Sequence, residues 1–146
     1  MLDSAKLTEL FPHARLHADW HLVTWHPHGV LTGERAERMV EFLESQEPIA
    51  GHPFNRFTDM SGFTRIQIGL DHVVRLARRR HKSYRGPPVK SAFYAVRVIS
   101  LTIARLYEEL MQGSRIQVRT FRDCAAAAKW LGVPTVILQP PKTEAK

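Results

Sequence analysis

Residues 89–132 read VKSAFYAVRVISLTIARLYEELMQGSRIQVRTFRDCAAAAKWLG. Their first eight residues are rich in apolar and aromatic side chains, which suits a strand. From Ile99 the apolar positions recur at Ile103, Leu106, Tyr107 and Leu110. Spacing of three and four puts them on one face of a helix reaching about Met111. Gly113 is a natural stop for that helix. Residues 115–120 alternate as RIQVRT, the period of a strand. Asp123 can then cap a last helix over 124–131, closed by Gly132 and Pro134. The four alanines 125–128 suit close packing of that helix on a sheet.

The same alternation continues toward the N-terminus. Residues 16–26, LHADWHLVTWH, read as one strand, with Val23 and Trp25 on one face and Trp20 and Leu22 on the other. Pro27-His28-Gly29 interrupts it. Thr32 is placed to cap a helix over about 33–46, where Ala36, Met39, Val40 and Leu43 share a face. Pro48 and Gly51-His52-Pro53 end that helix. Residues 54–60, FNRFTDM, form a strand ending at Asp59, and Ser61-Gly62 is a turn. A second helix runs from about Gly69 to Arg80 on the apolar face of Leu70, Val73, Val74 and Ala77. Gly86-Pro87-Pro88 breaks the chain before residue 89. A short helical turn over 4–10 precedes all of this, and 136–138 is read as an added edge strand. Strand and helix alternate four times. That order predicts an α/β single domain built on one mostly parallel sheet with covering helices. The expected division is a lead over 1–15, the domain over 16–132 and a C-terminal extension over 133–146, whose QPPKTEAK composition reads as a disordered tail.

Composition agrees with a single globular domain. The 146 residues are 44% hydrophobic and 24% charged. No apolar run approaches the roughly 18 residues of a membrane helix. The first residues, Met1-Leu2-Asp3-Ser4, have neither a basic nor an apolar leader segment, so no secretory signal is expected. The one cysteine, Cys124, has no internal disulfide partner and fits a reducing cytoplasm.

The pattern resembles a known family. Asp59 ends a strand and is followed by the helix carrying Val73, Val74, Leu76 and Ala77. Ala104-Arg105-Leu106-Tyr107-Glu108 follows the strand that ends at Ala95-Val96. The chain then closes on Val118-Arg119-Thr120-Phe121-Arg122-Asp123 and Ala127-Ala128-Lys129-Trp130-Leu131-Gly132. Over roughly residues 16–132 this resembles the STAS-like, or SpoIIAA-like, domains of bacteria. The resemblance implies a four- to five-stranded mixed sheet with about four helices, mainly on one side. It also implies a non-enzymatic, cytoplasmic role through protein contact, the type member being an anti-sigma-factor antagonist. In such members a phosphorylated Ser or Thr lies in an Asp-Ser-Ser-Gly-like turn past the strand-ending aspartate. Here that turn is absent. Ile66, Gln67, Ile68 and Gly69 stand at the expected position, and Ser61 and Thr64 are the nearby hydroxyls. The partner-binding or regulatory candidates are therefore Asp59, Ser61, Gly62 and Thr64, with Phe57 or Phe63 as an exposed aromatic anchor. Some members share a fold theme with Sec14-type lipid binders. A small apolar ligand between the sheet and the 99–111 helix is thus the alternative function.

Asp59 also stands out without the resemblance. A carboxylate at the C-terminal end of a strand in an open α/β sheet lies where such sheets bind ligands. Its plainer role is to pin the Ser61-Gly62 turn. His13, His17, His21, His26 and His28 cluster in sequence, but no cysteine pair or His-Glu-x-x-His spacing joins them, so no metal site is assigned. Cys124, at a helix start, reads as a small packing residue rather than a nucleophile. No nucleophile elbow, phosphate-cradling loop or dinucleotide fingerprint occurs, and neither a cofactor nor catalytic residues are assigned.

Charge raises one more candidate. The chain carries 21 Lys and Arg against 14 Asp and Glu, a formal +7. Arg75, Arg78, Arg79, Arg80, Lys82 and Arg85 fall within eleven residues, and without these six the balance is 15 against 14. As an anion patch they would give a weak nucleic-acid binder with steep salt dependence. Against that, cations favour the C-terminal end of a helix in any case, and no nucleic-acid-binding motif accompanies them. A homodimer is compatible with the sequence, but no heptad repeat specifies one.

Overall fold

The computed structural model of the chain describes residues 1–140. Seven strands and five α-helices follow one another: α1 Ser4–Leu10, β1 Ala14–His17, β2 Leu22–Trp25, β3 Gly29–Thr32, α2 Gly33–Gln46, β4 Asn55–Asp59, β5 Phe63–Gln67, α3 Leu70–Ser83, β6 Val89–Tyr94, α4 Val98–Leu110, β7 Ile116–Phe121 and α5 Cys124–Leu131. The main sheet has five strands in the order β1-β2-β4-β6-β7. All its neighbours run parallel except β1 and β2. This is the expected α/β class with a mostly parallel mixed sheet. The last six residues of the predicted tail lie outside the described residues.

Side chains alternate across each strand, and the alternation sorts the core into two layers. Val23 and Trp25 of β2 pack with Leu7 of α1 and Phe42 of α2. On the same face Val89, Ile116 and Val118 meet Ala77 of α3 and Met111 past α4. The opposite face presents Leu22, Phe57 and Ala92 to Ala127, Ala128 and Leu131 of α5. The two buried alanines let α5 lie close on the sheet. Caps form where the sequence places them. Thr32 accepts from the Arg35 amide at 3.2 Å and Asp123 from the Ala125 amide at 3.1 Å, while Gly132 takes the left-handed conformation that ends α5.

Three expectations change. The single strand over 16–26 is a hairpin. Its arms, β1 and β2, are joined by a 3-10 turn at Ala18–Trp20 and by His21 in the left-handed region. Period-two alternation holds in both arms, and the register pairs Ala14 with Trp25 and Leu16 with Val23 on one face. A reversal therefore leaves the apolar pattern unbroken. Secondly, Thr135–Leu138 is a 3-10 turn rather than an edge strand, and its Leu138 is buried beside α5. Thirdly, β3 and β5 pair in parallel with each other as a separate two-stranded ribbon. Each is short, and neither joins the main ladder. Leu31 and Phe63 of the ribbon pack with Met60, Ala95 and Ala104, so the ribbon lies against α4.

The ribbon is held at Gly62. A Cβ built there would sit 2.3 Å from the Pro27 carbonyl oxygen, a backbone atom with little freedom to yield. Gly62→Ala is expected to lower stability by about 1–3 kcal/mol through this clash. Chemical denaturation checks it, and an unchanged midpoint would show that the two turns separate freely.

Candidate functional site

The carboxyl ends of the parallel strands carry the polar cluster. Asp59 is the last residue of β4, on the α5 face with Phe57. His26 directly follows the neighbouring strand β2 and is 3% exposed. The strand order places the two side by side, and Nδ1 of His26 lies 2.9 Å from Oδ2 of Asp59. The other carboxylate oxygen accepts from the Ser61 amide at 2.9 Å and the Ser61 hydroxyl at 2.6 Å. Burial pushes the Asp59 carboxyl up, but the hydrogen bonds from His26 and Ser61 outweigh it and hold the group below its ordinary value of 3.8. An ionised carboxylate only accepts, so Nδ1 of His26 carries the hydrogen. Nε2 is buried without a hydrogen-bond partner among the described residues.

This arrangement has the aspartate in the middle. Ser61 and His26 bond to opposite oxygens of Asp59, so the ring has no direct bond to the hydroxyl that would activate it. What the geometry does is lock the Met60–Gly62 turn to the end of β2. Ser61 remains exposed, as does Thr64, whose hydroxyl donates to the Gly29 carbonyl at 3.2 Å and ties β5 to β3. Asp59, Ser61, Gly62 and Thr64 thus share one small region. The aromatic anchors expected there are not exposed: Phe57 is 1% and Phe63 2% exposed. Strand parity turns Phe57 under α5, and Phe63 fills the space between the ribbon and α4.

Burial, and then the carboxylates of Asp59 and Asp123, push the Cys124 thiol up to about 11. It is therefore a protonated packing group at neutral pH. The histidines disperse. His13 meets His28 edge-on at 4.9 Å, His21 stacks on His52 at 3.5 Å, and Nε2 of His17 lies 2.9 Å from the Thr24 hydroxyl. Among the described residues no three His, Cys, Asp or Glu side chains converge as a metal site.

The six basic residues of 75–85 also separate. Arg75 pairs with Asp71 on the surface at 3.1 Å. Arg79 grips Glu44 of α2 through Nε at 3.0 Å and through Nη2. Arg80 is 1% exposed, with Nη1 3.1 Å from Glu47 and 3.0 Å from Ser83, and Nη2 on Glu47. It cannot belong to an outer surface. Arg78, Lys82 and Arg85 stay exposed, with no ion pair among the described residues.

Sequence reasoning missed Glu47 and Arg56. Arg56 of β4 points to the face covered by α2, α3 and α4, donates to the Phe54 carbonyl at 2.9 Å and meets Glu47 at 2.8 Å. One largely enclosed carboxylate just past α2 therefore serves guanidinium groups from β4 and α3. Beyond these groups, between the main sheet and α2, α3 and α4, lies a cavity of about 150 Å³. Its walls are mostly apolar, including Met39, Phe63, Val73, Phe93 and Ala104. An Arg spaced one residue from the core Phe57 in a strand is the single sequence sign of a charge on the wrong face.

No family model matches the chain, and no curated protein matches it significantly. Among solved structures it is similar to the crystal structure of an uncharacterised protein from the DUF3478 family with a SpoIIAA-like fold, from Shewanella loihica PV-4. The two are 18% identical, the alignment covers 75% of this chain and 83% of that one, and the TM-score is 0.49. Among the described residues, no helix is long and apolar enough to cross a membrane.

Proposed function

We propose that the chain is a non-enzymatic, cytoplasmic binding domain of bacterial type that holds a small apolar molecule between its sheet and the α2–α4 layer. The cavity carries this reading. Cores are normally packed with few voids larger than a water molecule, and a cavity of roughly 150 Å³ is enough to take up benzene. The cavity lies against Ala104 and Tyr107 of α4, the helix expected to form one wall. Toluene and benzyl alcohol should each raise the thermal midpoint of the chain. Ala104→Leu, which fills the space, should abolish the shift. If neither compound moves the midpoint of the unsubstituted chain, the cavity is not a binding site.

A second reading is regulation by protein contact through the region of Asp59, Ser61, Gly62 and Thr64. Exposed apolar side chains favour it: Leu70, at the start of α3, and Val96, Val98 and Ile99, at the start of α4. Apolar side chains left bare next to one another, as over 96–99, are characteristic of contact surfaces. A partner recovered by this domain should be lost with Ser61→Glu or Thr64→Glu. Retention with both would move the contact elsewhere.

A further inference from the structure

We infer that the occupant of the cavity is a small carboxylic acid, a compact apolar body with one acidic head, seated against Arg56 and Arg80. This rests on the cavity being a binding site. Both arginines line it, and both side chains are almost wholly buried. Ser91, the cross-strand partner of Arg56, and Tyr107 line it with them. The rest of the wall is apolar. An apolar pocket with a few converging polar groups at one end is the usual form of a small-molecule site.

The charge count points to the head group. Glu47 is the carboxylate that both guanidiniums share. Glu44 lies 3.9 Å from Nη1 of Arg80, but its two oxygens are bonded to Arg79. Two cations therefore face one committed anion in a desolvated place, an excess of one positive charge. Buried charge is costly unless it is paired. The donors are also incompletely used. Glu47, Ser83 and the Phe54 carbonyl take Nη1 and Nη2 of Arg80 and Nε and Nη2 of Arg56. Nη1 of Arg56 and Nε of Arg80 have no hydrogen-bond partner among the described residues. Guanidinium groups match carboxylates in shape and charge. A cavity of this size accepts an acid of about the bulk of benzoate, not a long acyl chain.

The test titrates the full chain by calorimetry at pH 7 with benzoate and hexanoate, and with benzyl alcohol and hexanol as neutral counterparts. Each acid is expected to bind at least about tenfold more tightly than its alcohol. Ala104→Leu should abolish the binding of all four. In side-chain spectra of the arginine-labelled protein, the Nε–H signal of Arg80 should move with benzoate and not with benzyl alcohol. Alcohols binding as tightly as acids would overturn the head-group inference and leave the cavity as a binding site. An Arg80 signal that benzoate leaves unmoved would overturn it in the same way. If none of the four binds, or if Ala104→Leu binds them unchanged, the cavity reading falls and this inference with it.

Discussion

Glu47→Gln should destabilise the fold by about 3–5 kcal/mol, the range observed when one partner is removed from a buried ion pair. The substitution removes the charge and little else. Arg56 and Arg80 are both enclosed, and Glu47 is the carboxylate they have in common. Glutamine keeps the shape but leaves two guanidinium groups facing each other in a low-dielectric interior, where their repulsion is poorly screened. Total stability for domains of this kind is about 5–15 kcal/mol, so the loss should be visible as a large drop in the urea midpoint. Asp71→Asn provides the contrast. It breaks the exposed pair with Arg75 and should cost within about 0.5 kcal/mol. Equal effects from the two substitutions would mean that the buried network contributes nothing special.

Asp59→Ala should cost about 3 kcal/mol, since hydrogen bonds to charged groups contribute roughly 1.5–3 kcal/mol each and His26 would be left unpaired in the interior. The effect has a pH signature. The folded-state pKa of Asp59 lies below the ordinary 3.8, so the folded state resists protonation more than the unfolded chain does. The stabilisation from Asp59 is then fully present above the unfolded value and is lost as pH falls through the lower folded value. Glu44 acts in the same direction. Burial raises its pKa, but the hydrogen bonds from Arg79 and Ser83 bring it below its ordinary 4.5. Stability of the unsubstituted chain should therefore decline below about pH 4, and the difference from Asp59→Ala should shrink over that window. A difference that stays constant from about pH 6 down to acid unfolding would remove Asp59 as the linked group.

Much of the fold is legible because its causes are local. Thr32 and Asp123 accept from amides two or three residues ahead, and a side chain with that reach is visible in any window of sequence. The apolar spacing of α4 and the alanines of α5 are equally local, although Leu70 and Ile99, the first residues of the apolar faces predicted for α3 and α4, are exposed because nothing packs over those helix starts. The hairpin at β1 and β2 was not legible for a definite reason. Reversal of direction preserves alternation, so the apolar pattern of residues 16–26 is the same for one strand or two. The β3–β5 ribbon escaped because four-residue ladders have too few alternations to register, and their partner lies more than thirty residues away.

The candidate site divides in the same way. The α/β class, the alternation of β2, β4, β6 and β7 with α2 to α5 and the placing of Asp59 at the end of a strand are all readable in the sequence, because hydrophobic period and capping chemistry act over a few residues. That His26 stands beside Asp59 depends instead on β2 lying next to β4, a pairing between segments some thirty residues apart. Tertiary packing also decides which arginine of the basic run is surface and which is interior. Arg78, Arg79 and Arg80 are consecutive, and the turn of α3 sends them in different directions. Arg80 is the one that reaches Glu47, 33 residues earlier in the chain. Burial is a property of what packs against a residue, and a charge run in sequence carries no record of its distant partner.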